Sequence, residues 1–392
     1  MRTILKGILI GVVLLVSAGR AFAYPPDNAA VLYYKAFLLM KEPNDTEEIM
    51  LRQLSTDDIK VNAQVRLCLE SNREAIKEVV TAAQIKNCDW GHDFSQGASM
   101  PLCHLKKCRD TVYLLAADSK MLAEKGDYKT ALERCITMHR MGIHLGDDIL
   151  LQKVVGSAME GRASKRIMEI LPQASNDTAT LEWLKGQLAD IAKKYPSIGT
   201  AIQSDAVFLG NSLNREMVLD VALHGSEKKL SKDDQDKLNQ VLNQHNNDAF
   251  YARLREYYKN VISIAHVAYD LPYPQAKQKL EDLYGEIKNA AKEKPEAIIT
   301  QYLFPEQDFY GVLSTETNHK TRLNAVLAGI DIYLIKAKTG KLPDKLPEGL
   351  PRDLFSGKDF LYEKTDAGFT LTGQGKDLDK DIVHKYEFKV AK

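Results

Sequence analysis

The chain has 392 residues, with 53 basic and 53 acidic side chains, so its formal net charge is zero. Hydrophobic residues at 44% and charged residues at 27% are an ordinary globular composition, which excludes a disordered chain. Bulk charge leaves no electrostatic footprint for DNA or RNA, so no nucleic acid partner is expected.

The N-terminus carries the strongest single signal. Arg2 and Lys6 precede an apolar run from Ile8 to Val16, and Ala21, Phe22 and Ala23 stand before Tyr24. A basic start, a short apolar stretch and an A-x-A site predict a secretory signal peptide over residues 1–23. The run is too short for a comfortable membrane span, so no span is expected after cleavage. That segment holds Arg2, Lys6 and Arg20 and no acid, so the mature chain has a formal charge of −3. The expectation is an exported protein, periplasmic or secreted. Export brings an oxidising compartment, in which disulfides are expected. The cysteines are Cys68, Cys88, Cys103, Cys108 and Cys135, an odd number that leaves at least one thiol. A bridge from Cys88 to Cys103 or Cys108 is expected, and Cys135, on the apolar side of its helix, reads as a buried thiol.

In chain order, Asp27 or Asn28 caps a helix from Ala29 to Met40. Residues 42–58 read as a polar loop with a short helix. Asp57 and Asp58 open a helix that carries Val61, Val65, Leu69 and Ile76 and continues to about Ala83. A loop over residues 86–101 holds Trp90, His92 and Phe94. From Leu105 the apolar positions recur at helical spacing until Gly126 and Asp127 break it. A second helix carries Ala131, Leu132, Cys135, Ile136, Met138 and Met141, and Gly142 and Gly146 weaken its end. Asp147 or Asp148 caps a third, with Leu150, Val154, Val155, Ala158 and Met159 as its face. The first two form a hairpin like that of a tetratricopeptide unit, without a 34-residue recurrence elsewhere. Helices follow at 181–194, capped by Thr178, and from Ile198 to about Leu223. Residues 224–247 are highly polar and predict a mobile excursion. Further helices fall at 249–268, 273–292 and from Thr317 to Thr339, ending at Gly340. Beyond it, residues 360–363 and 369–372 flank a Gly-containing turn and predict a β-hairpin, with a third strand at 384–390. The fold class is therefore mainly α: an irregular helical bundle over residues 24–316, then a small α+β unit over residues 317–392.

No catalytic motif stands out. There is no nucleophile elbow, Ser-x-x-Lys, phosphate-binding loop or dinucleotide glycine fingerprint. Cys88, His92, Cys103 and Cys108 have zinc-ligand types in an irregular order, and export favours disulfides over zinc. His139 and His144 are five apart, which puts them on different helical faces, so they read as surface or cap histidines. The paired acids Asp57–Asp58, Asp147–Asp148 and Asp233–Asp234 sit at helix starts and read as caps. Tyr251, Tyr257 and Tyr258, among nearby arginines, and Trp90 in its loop are the candidates for an interaction surface.

Two resemblances add to this. Residues 27–30 (Asp-Asn-Ala-Ala), Tyr33 and Tyr34, the Cys-Asp-Trp-Gly loop at 88–91 and the Gly126–Asp127 turn resemble a family of secreted bacterial helical proteins to which no activity is attached. The features Tyr333, Gly340, Pro343, Pro351, Asp353, Phe355, Gly357, Tyr362, Gly368, Phe369 and Gly375 resemble the C-terminal region of a type II secretion major pseudopilin. That second resemblance implies a calcium site, for which Asp377, Asp379 and Asp381 are the candidate ligands; no other cofactor is expected. Lys376 and Lys380 interrupt the acidic run, and the prepilin N-terminus of that family is missing. Together these readings lead to a non-enzymatic binding or scaffold protein of the bacterial envelope, with a protein partner there. The alternative is an exported hydrolase built from scattered carboxylates and histidines.

Overall fold

The computed structural model describes residues 27–56, 59–146, 149–224 and 230–390. Residues 1–26, which include the stretch read as a signal peptide, and the pairs Asp57–Asp58 and Asp147–Asp148 lie outside them. Among the described residues the chain forms fifteen α-helices and then one three-stranded antiparallel sheet, the mainly helical class that the patterning predicts.

α1 (Ala29–Leu39) starts at Asn28, whose side chain accepts the Ala30 N–H at 3.0 Å. The same side chain accepts the N–H of Asp89 and donates to its carbonyl, both at 2.9 Å, so it ties the helix start to the loop of residues 88–91. α2 (Asp45–Thr56) follows. The expected long helix to Ala83 is two helices, α3 (Ala63–Ser71) and α4 (Arg73–Ala82). Asn72 breaks it: buried, it gives its side chain to Lys41 and to the Cys68 carbonyl rather than to solvent. α5 (His104–Glu124) and α6 (Tyr128–Leu145) form the expected hairpin. Gly126 takes φ +82°, which favours glycine, and Asp127 caps α6 by accepting the Thr130 N–H. α7 (Leu150–Ala174) and α8 (Thr178–Lys193) complete this half; the cap of α8 is Asp177 rather than Thr178.

α9 (Ile198–Ser212), α10 (Arg215–His224), α11 (Lys232–Gln244), α12 (Asp248–Tyr269), α13 (Tyr273–Ala290) and α14 (Pro295–Leu303) surround a second core. The polar stretch read as a mobile excursion contains α11, capped by Ser231 and anchored by the fully buried Leu238 and Leu242. Two leucines four apart suffice to dock an otherwise hydrophilic helix, a signal that mean polarity hides. Residues 225–229 of that stretch lie outside the described ones.

α15 (Glu306–Thr339) has 34 residues and serves both cores. Its Leu313 packs in the second, while Leu323 to Leu334 pack in the first. The boundary drawn before Thr317 thus falls inside one continuous helix. β1 (Leu361–Thr365), β2 (Gly368–Asp377) and β3 (Ile382–Lys389) pair in that order, with Thr365 opposite Gly368 and Gly368 opposite Lys389. Their inner face buries Phe369, Leu371, Tyr386 and Phe388 against the first core. The Phe388 ring lies on Gly329 of α15, where a Cβ would stand 2.5 Å from it.

Candidate ligand-binding cleft

Where α8 gives way to α9, α12 to α13, and α15 passes beneath, a cleft of about 620 Å³ opens. Tyr195, Tyr269, Pro272, Tyr273 and Leu313 give it apolar walls. Ser197, Asp270, Gln275 and Ser356 add polar groups, and Glu316, Thr317 and Lys320 of α15 face it. Glu316 and Lys320 are four apart on one helical face, the spacing at which opposite charges meet. They form an ion pair. Neither oxygen of Glu316 has an aligned hydrogen bond among the described residues.

Behind that pair lie two more ionisable side chains. Lys153 and Glu160 of α7 are buried, at 1% and 2% exposure. Seven residues is two helical turns, so both project from the same side of α7. Two glycines of α6 make room for them. A Cβ at Gly142 would stand 2.8 Å from Glu160 Cγ, and one at Gly146 would stand 3.0 Å from Lys153 Cδ. The two backbones nearly touch, since a Cβ at Gly156 would stand 2.4 Å from the Gly142 carbonyl oxygen. The ring of Tyr195 lies between the layers, 4.4 Å from Lys153 Nζ and 5.2 Å from Lys320 Nζ.

Burial pushes the Glu160 carboxyl up to about 8; Lys153 and Lys320 oppose that shift and Glu316 adds to it. Both Glu160 oxygens lack a hydrogen-bond partner among the described residues. Burial without hydrogen-bond donors thus favours the protonated form of Glu160, and the nearby Lys153 works against it. Burial also pushes His139 down to about 4 and His319 down to about 3, so both are neutral imidazoles. His139 meets Ser164 Oγ at 3.2 Å through Nε2.

The earlier candidates fall elsewhere. Trp90 is 4% exposed, stacked on Tyr33, Phe37 and His104, with its Nε1–H donating to the His144 carbonyl at 2.9 Å. It is a core residue, not a surface anchor. Tyr251 and Tyr258 are buried in the second core and Tyr257 is half-buried at its edge, so they form no exposed aromatic patch. Their helix is amphipathic, and the tyrosines lie on its inner face. His139 and His144, read as surface or cap histidines, are both buried, His144 beside the Tyr33 hydroxyl at 3.0 Å.

No disulfide joins the five cysteines. Cys103 is exposed at the start of α5, while Cys108 is buried one turn further in and Cys88 is half-buried. Burial raises the Cys108 thiol well above its ordinary value, and the nearby Cys88 adds to the shift. The expected bridge from Cys88 is thus not made. Burial also pushes Cys135 up to about 12, an inert core thiol. A structural bridge contributes ~2–4 kcal/mol, so its absence has a simple readout. Dithiothreitol is expected to leave the thermal midpoint of the protein unchanged, and a drop of several degrees would show that Cys88 is bridged.

Asp377, Asp379 and Asp381 do not converge. Asp377 is fully buried, and its two oxygens accept Ser314 Oγ at 2.8 Å, the N–H groups of Asp379 and Lys380 at 3.2 and 3.3 Å, and His384 Nε2 at 3.2 Å. Asp379 is exposed, and Asp381, at φ +59°, pairs with Lys376. A calcium ion would have to displace the donors that already fill Asp377. Asp353 of the Pro351–Gly357 stretch plays the same part, accepting Ser356 Oγ at 2.7 Å and the N–H groups of Gln374 and Gly375 at 2.9 and 2.8 Å. The acidic positions singled out by the resemblance are thus, in two cases, anchors for the C-terminal loops. Among the described residues no three of His, Cys, Asp and Glu gather at one point.

The buried charges behind the cleft were missed because the phase of α7 was misread. Val154 is exposed, whereas Gln152, Lys153, Gly156, Ser157 and Glu160 are buried. The available signal was the Gly142, Gly146 and Gly156 set, which marks a close helix crossing. Comparison with protein-family models, curated proteins and solved structures returns no match, so the functional reading rests on this chain's own residues.

Proposed function

We propose that this is an exported, non-enzymatic binding protein of the bacterial envelope that holds a polar ligand with an apolar face in the cleft above Glu316 and Lys320. The observation that carries the reading is that cleft, with tyrosine and proline walls and a carboxylate and an ammonium on one helical turn of its floor. Such a mixture of apolar wall and few convergent polar groups is what ligand sites present. Both Glu316 oxygens are buried, so the charge the floor presents is the part-exposed Lys320 ammonium, and a carboxylate-bearing ligand of the amino-acid or short-peptide kind matches it. The basic start, apolar run and Ala21–Ala23 site support export, and among the described residues no helix is long and apolar enough to cross a membrane.

A hydrolase is the second reading, favoured by one observation: Glu160 is a carboxylic acid poised near neutrality. It is weaker because Glu160 lies behind the floor and does not line the cleft. A general acid must reach the proton it moves. The test is a series of thermal melts of the mature protein against amino acids and dipeptides, since a ligand of the native state raises the midpoint. A rise that is lost in Gln275→Trp, an exposed position at the cleft mouth, supports binding there. Turnover of a dipeptide that Glu160→Gln abolishes would replace this reading with the hydrolase, and a panel with no effect on the midpoint would overturn both the site and its ligand class.

A further inference from the structure

A different cluster, away from the cleft floor, brings two imidazoles onto one amide. Gln152, in the first turn of α7, is fully buried, and its Nε2 lies 2.5 Å from His92 Nε2 and 2.9 Å from His104 Nε2. The two rings come from distant places, one from the loop after Trp90 and one from the first residue of α5. Their centroids are 5.1 Å apart. Gln152 Oε1 is buried and has no hydrogen-bond partner among the described residues. An amide that spends its nitrogen on both neighbours and leaves its oxygen orphaned is an expensive arrangement in a buried site. Its surroundings are stiff. The Leu150 N–H donates to Asp205 Oδ1 at 3.1 Å, fixing the first turn of α7, and the His104 ring stacks on Trp90 at 4.6 Å.

In this amide orientation each Nε2 that accepts from the N–H₂ group carries its ring proton on Nδ1. Two imidazole lone pairs thus point at one small volume. With bonds of about 2.0–2.1 Å, neighbouring donor atoms sit roughly 3.3–3.4 Å apart around a tetrahedral zinc ion and roughly 2.9 Å apart around a square-planar copper ion. The 2.9 Å contact to His104 matches the square-planar spacing, whereas the 2.5 Å contact to His92 is tighter, so the Gln152 side chain has to draw back from His92 to admit an ion. A half-turn of the Gln152 amide exchanges its nitrogen for the orphaned oxygen and supplies a third donor.

We propose that His92 Nε2, His104 Nε2 and Gln152 Oε1 form a binding site for one divalent transition-metal ion of the zinc or copper class. Imidazole suits both ions. Three protein ligands leave a position for water, the open arrangement of sites that exchange or activate what they hold rather than the closed one of structural zinc. His92 is only half-buried, which gives the ion its way in. The site differs from the one suggested by the sequence order, because it uses neither Cys103 nor Cys108.

The test uses tag-free mature protein titrated calorimetrically with zinc chloride and, separately, with copper(II) chloride. Binding of about one equivalent is expected, weakened more than about 100-fold in His92→Ala, beyond the usual cost of losing an outer-shell partner. Copper(II) electron paramagnetic resonance of the wild type is expected to show coupling to two imidazole nitrogens, a readout that needs no variant to fold. Absence of binding, binding that His92→Ala leaves intact, or a spectrum with one nitrogen or none would each overturn the site.

Discussion

Asp377→Ala is expected to lower the stability of the protein by about 3–5 kcal/mol at neutral pH, the range seen when one partner of a buried charged network is removed. The size follows from what the carboxylate holds. It accepts from Ser314 on α15, from two backbone N–H groups of its own turn and from His384 on β3, so it joins the tail to the long helix and closes the β2–β3 connection. Tyr273 of α13 reaches it as well, at 3.4 Å. Burial raises the Asp377 carboxyl, but the bonds from Ser314, His384 and the Lys380 N–H outweigh it and leave its pKa below the ordinary value. A folded-state pKa below the unfolded one stabilises at pH above the unfolded value, and that contribution is lost as pH falls through the folded value. The penalty of the substitution should therefore shrink in acid. Asp379→Ala, at an exposed side chain that joins none of these bonds, should change stability by less than about 0.5 kcal/mol. Urea unfolding at pH 7 and pH 3 measures both. A calcium site would behave differently. Both substitutions would abolish a calcium-dependent rise in the midpoint, and the Asp377→Ala loss would appear only with calcium present.

The helices with clear caps and apolar stripes were legible: α1, the α5–α6 hairpin with its Gly126–Asp127 turn, α12, α13 and the terminal hairpin all follow from local pattern. What escaped has a common physical cause. Sequence reading assigns the apolar residues of a helix to its inside, and α7 does the opposite over three turns. Val154 points out while Lys153 and Glu160 point in. Only tertiary structure reveals the reason, which is that Gly142 and Gly146 on α6 leave space that two long charged side chains fill. The tyrosines and Trp90 were misplaced for the converse reason. Aromatic side chains with a polar end suit both interfaces and cores, and here the core won, with the Trp90 N–H paired to a backbone carbonyl. The start of α15 was missed because Glu306 to Glu316 has little apolar periodicity; that segment is held by Leu313 and by Ser314, whose bond to Asp377 spans 63 residues.

Glu160→Gln is expected to stabilise the protein at pH 8 by about 2–3 kcal/mol and to leave it nearly unchanged at pH 4.5. The direction follows from proton linkage. The unfolded carboxyl ionises near its model value of 4.5, whereas burial holds the folded one up to about 8. Below the lower value both states carry the proton and the group contributes nothing. Between the two values the native state binds one proton more than the unfolded state, so stability falls as pH rises, at ~1.4 kcal/mol per unit. Above the upper value the loss is complete and constant. Glutamine keeps the shape, never ionises and removes that slope, although its buried amide retains part of the desolvation cost, which is why the expected gain is smaller than the full span. Urea unfolding of both proteins from pH 4.5 to pH 8.5 reads the slopes directly. Equal slopes, with the variant less stable throughout, would mean that Glu160 is ionised and firmly paired with Lys153. The cleft floor would then rest on a buried ion pair instead of a neutral acid, and Glu160 would have no proton to give to anything that Glu316 and Lys320 hold.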